Sequence, residues 1–293
     1  MLKKSVCYFT VLCSLCLFTA CSNNDEVSGP SPDDISKTYK DAQLLLTINE
    51  EEYEKEDASI SIRSKSENTV DVCLNNIISP VKSFTLDAVN VTTKERSGHS
   101  YILNGKSTNL VIGYQIEMEG TVVNDTLTTN IKKTEITGES CSSEFIKNKI
   151  YEGEMVIDNG LNEPTKNNLR IQTLPSFDES DSKIKLIIYD SQTPTLEKII
   201  IDSIPVTKLD SIYNICANER IVKINESGTE GTIELRGAIL NSDDNNPLMK
   251  LYLKITPHKI NPNTDNEEDS STIYLTFDGS EIKVIPHDNK YKK

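Results

Sequence analysis

His99, His258 and His287 are the only imidazoles in the chain. None stands at metal-ligand spacing from another histidine or from a cysteine pair, so the pattern gives no zinc site. His99, within Ser97-Gly98-His99-Ser100, could in principle assist a nucleophile, but a lone histidine in a turn needs no such role. No Gly-x-Ser-x-Gly elbow, phosphate-binding loop or dinucleotide fingerprint occurs. Carboxylates are abundant in two runs, Glu50 to Glu52 with Glu54, Glu56 and Asp57, and Asp265 to Asp269. A hard cation such as calcium takes several such oxygens. The second run lacks the glycine and distal glutamate of a helix-loop-helix calcium site, and solvated loops account for both. A carboxylate pair for glycoside hydrolysis is defined by separation in space, which spacing along the chain does not give. With no Trp and 11 Tyr the chain offers few stacking platforms for sugar rings. The residues therefore assign no catalytic group, no metal and no cofactor.

Cysteine carries the clearest chemistry. The leader from Met1 to Ala20 has a basic start at Lys3 and Lys4 and an apolar stretch from Ser5 to Phe18, of secretory rather than membrane-spanning length. Its close, Leu17-Phe18-Thr19-Ala20-Cys21, resembles a bacterial lipobox, which implies cleavage before Cys21 and acylation of its thiol. Each buried methylene of such chains contributes about 0.8 kcal/mol, so several acyl chains hold a protein firmly to a membrane. Residues 21–36 are rich in Ser, Asn, Pro and Asp and read as a disordered tether. Asp25 and Glu26 behind the lipid cysteine resemble the surface-export signal of Bacteroidales lipoproteins. The expected address is the outer membrane, facing outward, with the periplasmic face as the alternative. Cys73, Cys141 and Cys216 are left, enough for one disulfide at most; buried free thiols fit better, because the three positions do not correspond between the halves of the chain described next.

These groups must be positioned by strands. The chain has 293 residues, a formal net charge of −14, and 33 Ile against 6 Ala. Excess β-branched residues and scarce Ala favour strands over helices, and the acidic balance disfavours nucleic acid as a partner. Apolar residues alternate at Ile60/Ile62, Val70/Val72/Leu74, Ile116/Met118 and Ile233/Leu235, the period of half-buried strands. The mature chain also repeats itself. Setting Tyr39 on Tyr151 aligns Phe84–Thr92 with Leu196–Thr207, Tyr101–Gly105 with Tyr213–Ala217, and Tyr114–Val123 with Gly231–Leu240; both copies continue into a strand ending near Lys132 and Lys254. The expectation is an all-β chain of two tandem antiparallel meanders, 37–138 and 145–293. Each has about eight strands, in the first near 40–48, 58–64, 69–75, 83–92, 99–104, 109–113, 114–123 and 126–133. Each closes into a barrel, or alternatively forms a sandwich. Asp278-Gly279-Ser280, between Ile273–Phe277 and Ile282–Ile285, reads as a C-terminal hairpin turn.

Tyr151-Glu152-Gly153, with the weaker Tyr39-Lys40-Asp41, resembles the opening strand of the tandem calycin-like (lipocalin-like) lipoproteins of Bacteroidales. That resemblance implies β-barrels with an apolar interior cavity and no catalytic residues. The expected function is non-catalytic binding of a small apolar molecule or of a protein or glycan partner, with the lipid on Cys21 as the membrane contact. A fimbrial or adhesive lipoprotein of two sandwiches, with 273–285 as a donated strand, is the alternative. Asp125-Thr126-Leu127, Asp202-Ser203-Ile204 and Asp210-Ser211-Ile212 resemble the short O-glycosylation sequon of the same bacteria.

Overall fold

The structure is a computed structural model, describing residues 31–54, 56–94, 100–160, 162–190, 199–223, 230–240, 246–258 and 272–282. Among the described residues eighteen strands form two sheets. The first holds β1 (Thr38–Lys40), β2 (Leu44–Ile48), β3 (Glu51–Glu52), β4 (Ser59–Ser66), β5 (Thr69–Asn75), β6 (Ser83–Lys94), β7 (Ser100–Asn109), β8 (Tyr114–Val123) and β9 (Thr126–Glu135). The second holds β10 (Glu139–Ser140), β11 (Lys149–Asp158), β12 (Thr165–Pro175), β13 (Lys183–Asp190), β14 (Ile199–Leu209), β15 (Ile212–Lys223), β16 (Glu230–Leu240), β17 (Leu248–Pro257) and β18 (Ile273–Glu281).

In the second sheet β11 to β18 follow one another as antiparallel neighbours, β14 pairs with β15, and β18 returns to β11. The ring of eight strands is a closed barrel, which leaves none of the eight with an unpaired edge. Its inward residues, among them Tyr151, Ile171, Leu186, Ile201, Leu253 and Phe277, pack as one cluster. Full burial of each such aliphatic side chain stabilises the fold by about 1.5–3 kcal/mol.

The first sheet has the same meander from β4 to β9 and its own core cluster. The two copies agree in detail. Tyr39 pairs with Ile60 as Tyr151 pairs with Ile171. Leu103 faces Gly120 as Ile215 faces Gly237. A bulge falls at the same place in both, between Leu86 and Val89 and between Ile201 and Ile204. Its extra residues match as well: Ala88 and Ser203 take left-handed φ of 54° and 55°, the local cost of inserting a residue into one strand.

The copies part at the first strand. In the second, Gly153 lets β11 run on, because a Cβ there would sit 2.1 Å from the Asp278 carbonyl oxygen of β18. In the first, Asp41 holds the equivalent position with φ 50° and the strand breaks into a 3-10 turn at Asp41–Gln43. β1 stays beside β4, while β2 crosses to lie parallel to β9. β2 thus takes the place beside β9 that β18 takes beside β17.

Four sequence expectations are corrected here. Asp278-Gly279-Ser280 is no turn: β18 runs straight through it, because Gly279 lies opposite Gly153 and Met249 in a continuous ladder, and that pairing outweighs a local turn signal. Residues 283–285 lie outside the described residues. The run 109–113 is no separate strand but the end of β7 and a turn whose Ile112 is buried. The tether does not extend to 36, since Ser31 caps a 3-10 turn at Pro32–Ile35 that buries Pro32 and Ile35. The second sheet begins before 145, because β10 pairs with β14 and Ser143 and Ile146 are buried.

Candidate functional site

The side chains singled out in the sequence do not converge. Cys21, His99, His287 and Asp265 to Asp269 lie outside the described residues. His258 follows the end of β17, its Nε2 2.8 Å from the Thr232 hydroxyl. Cys73, Cys141 and Cys216 are free thiols, each half-buried. Cys73 points away from the core that Val70, Val72 and Leu74 fill, and lies 2.8 Å from the Ser83 hydroxyl. Thr126 and Ser211 stand at tight turns, whereas Ser203 sits in the bulge within hydrogen-bond reach of Ser176 and Asp202. Among the described residues no group of three or more His, Cys, Asp or Glu is placed to hold a metal ion.

Two places gather polar groups or open space. One is the junction between the sheets. Arg236 of β16 reaches across, donating from Nη1 to Glu135 at 2.7 Å and from Nη2 to the Tyr114 hydroxyl at 2.7 Å. The Tyr114 ring carries the Arg236 guanidinium and the Lys133 ammonium, each 4.6 Å from its centroid, an attractive cation–π geometry. Glu234 accepts from Lys254 at 2.7 Å and from the Ser79 hydroxyl at 2.5 Å. Burial pushes the Glu234 carboxyl up, but these hydrogen bonds and the Lys254 charge outweigh it and hold the acid below its ordinary value. Glu234 is therefore kept ionised, and Glu135 is bound to Arg236. A hydrolytic pair needs one carboxyl raised enough to act as acid, and this arrangement instead joins the sheets.

The other place is a groove along β2. The turn between β2 and β3 is a two-residue loop with Asn49 and Glu50 at φ 52° and 71°, a conformation matched to hairpin twist. Asn130 anchors it, its Oδ1 accepting from Thr47 Oγ1 at 2.8 Å and from the Glu50 amide at 3.2 Å. Beyond β3 the chain is fastened again where the Tyr53 hydroxyl donates to the Asn76 carbonyl at 3.1 Å. Burial first, then the charges of Asp57 and Glu234, raise the Tyr53 phenol above its ordinary value, so it stays a donor at neutral pH. Pinned at both ends, the segment leaves an open cavity on each side of β2. The larger, about 660 Å³, lies over Leu45, Thr47, Ile102 and Thr121 with Glu52, Glu54 and Glu119 at its rim. The smaller, about 570 Å³, is bounded by Asp41, Leu44, Leu46, Tyr53 and Glu56. Leu45, in both, is 57% exposed.

No known protein family matches the chain, and no curated protein does.

The interior site expected from the sequence is not where these cavities lie: Tyr39, Leu103, Ile116 and Leu127 fill the middle of the first sheet as part of its core. Sequence reasoning missed β2 as a site because Leu44-Leu45-Leu46 reads as an ordinary buried strand. The signal it did contain was Tyr39-Lys40-Asp41, where a residue other than Gly marks the break that frees β2.

Proposed function

We propose that this chain is a non-catalytic, lipid-anchored binding protein of a bacterial cell envelope, attached to the outer membrane through Cys21 and facing outward. The anchor and address rest on the leader and lipobox. No helix among the described residues is long and apolar enough to cross a membrane. The observation that carries the binding function is the groove: a cavity of about 660 Å³, within the size range of ligand sites, beside an exposed leucine on a pinned strand. It combines apolar and polar lining, the composition common to ligand sites. The ligand site thus moves from the barrel interior to the wall of the first sheet. Replacing Cys21→Ala should leave the circular dichroism spectrum unchanged and shift the protein from the membrane to the soluble fraction. Retention in the membrane by the variant would overturn the anchor. Surface proteolysis of intact cells separates outward from periplasmic display.

A further inference from the structure

The junction between the sheets holds more than the contacts that join them. An open cavity of about 530 Å³ lies there, with Lys133 and Glu135 of β9 on one wall and Asn218, Glu219, Glu234 and Arg236 of β15 and β16 on the other. Clefts between domains are frequent ligand sites, and this volume is within their range. Part of the polar lining is already spent. Glu135 is held by Arg236, Glu234 by Lys254 and Ser79, and the Asn218 side-chain oxygen by Arg236. The rest is not. The half-buried Lys133 ammonium rests on the Tyr114 ring and donates to no acceptor among the described residues. Burial first, then the Arg236 charge, pull this amine below its ordinary value, against the opposing effect of Glu234 and Glu135. The Asn218 amide nitrogen and the exposed Glu219 carboxylate likewise have no hydrogen-bond partner among the described residues. An ammonium taken partly out of water with its donors unused is costly, and a ligand that relieves it brings acceptor oxygens.

The same walls narrow what carries those oxygens. An anion would lie against Glu135, Glu219 and Glu234, and a cation against Lys133 and Arg236. A hydroxyl suits both kinds of neighbour, because its one oxygen accepts from an ammonium or amide and donates to a carboxylate. We propose that the junction cavity binds an uncharged, hydroxyl-rich molecule of the hexose class, which accepts hydrogen bonds from Lys133 and Asn218 and donates one to Glu219. The Tyr114 ring already carries the two cations, so polar side chains rather than ring stacking make the recognition. Because the walls come from both sheets, an occupied cavity favours the docked arrangement over the separated one. The site is distinct from the β2 groove and does not rest on it.

The test uses the full chain in a detergent without a sugar headgroup. The probes are glucose, galactose and mannose, each beside its uronic acid and its 2-amino sugar. At least one neutral hexose should bind saturably by ligand-observed NMR and raise the melting temperature, and its charged counterparts should bind at least tenfold more weakly. Glu219→Ala, at an exposed position, should weaken that hexose at least fivefold without changing the far-ultraviolet spectrum. Lys133→Met, which keeps an apolar stem on the Tyr114 ring and removes the donors, should do the same. Leu45→Asp, in the β2 groove, should leave hexose binding as it was. Absence of saturable binding by all three hexoses, or binding indifferent to both junction variants, overturns the proposal. Tighter binding of a uronic acid or an amino sugar overturns the uncharged class. Loss of hexose binding in Leu45→Asp but not in the junction variants would place the sugar in the β2 groove and overturn the junction site.

Discussion

Single residues show where local pattern and tertiary setting diverge. In Ile233-Glu234-Leu235 the alternation places Glu234 on the outer face of β16, and in an isolated barrel it would be a solvated carboxylate. The sequence does not reveal that the loop at Ser79 lies against that face, so the hydrogen bond from the Ser79 hydroxyl was illegible. The consequence for pH is specific. Glu234 has a folded-state value below its ordinary 4.5, so its contribution is present above the unfolded value and is lost as the pH falls through the folded one. Thermal melts should therefore show stability declining below about pH 4.5. Glu234→Gln should cost about 1–3 kcal/mol at pH 7, the range for unpairing a buried polar partner, and should flatten the acid limb of the profile. An unchanged acid limb in the variant would assign that loss to other carboxylates. Cys73, expected as a buried thiol, is half-buried instead, because it alternates with Val70, Val72 and Leu74 and so stands on the strand face away from the core.

At the level of strands, most of the fold could be read in advance. Period-two alternation located the meander, and the repeat aligned Leu86-Asp87-Ala88-Val89 with Ile201-Asp202-Ser203-Ile204, the residues that share a bulge. What misled was the closing strand. Asp278-Gly279-Ser280 has every local mark of a turn, yet its glycine serves cross-strand contact: a Cβ on Gly279 would sit 2.4 Å from the Phe277 ring and 2.8 Å from the Glu152 carbonyl oxygen. Gly279→Ala must therefore push β18 off β11, and overpacking of this kind costs about 1–3 kcal/mol or more. Chemical denaturation should show that loss. A hairpin at this position would instead tolerate alanine poorly only through backbone strain, without loosening β11, so accelerated amide exchange along β11 separates the two. The β2 groove escaped prediction for a related reason: the open space beside a strand is a property of its neighbours, and Leu44-Leu45-Leu46 carries no trace of them.

For the molecule as a whole, two sheets with separate cores are joined by directed polar contacts and by Tyr252 of β17, which packs against the core of the first sheet. Besides the Arg236 and Glu234 links, Lys82 pairs with Asp158 at 2.6 Å, and Asn214 donates to the Leu110 carbonyl at 2.5 Å. Arg236 is the most connected of these, reaching Glu135, Tyr114 and Asn218. Arg236→Ala leaves Glu135 unpaired and Tyr114 without its hydrogen-bond partner, so it should uncouple the sheets before it unfolds either. Calorimetry is expected to show one transition for the parent chain and two for the variant. A single transition at lower temperature would mean that the remaining contacts suffice for coupling. The separation into two copies was visible in the sequence, but their junction was not, because it is made by outward-facing side chains whose spacing follows no period.

The way each sheet is closed also fixes an order in time. The first is sealed by a segment that precedes its meander, so every strand it needs has been made once Glu135 is complete. The barrel of the second opens at β11 but waits for β18, and Tyr151 meets Glu281 only after the intervening chain exists. A chain emerging from a ribosome or a translocon amino terminus first can finish one sheet while the other still shows two raw edges. Those edges are the period of greatest exposure to mispairing, and they make the last strand the step on which a chaperone or a protease would act.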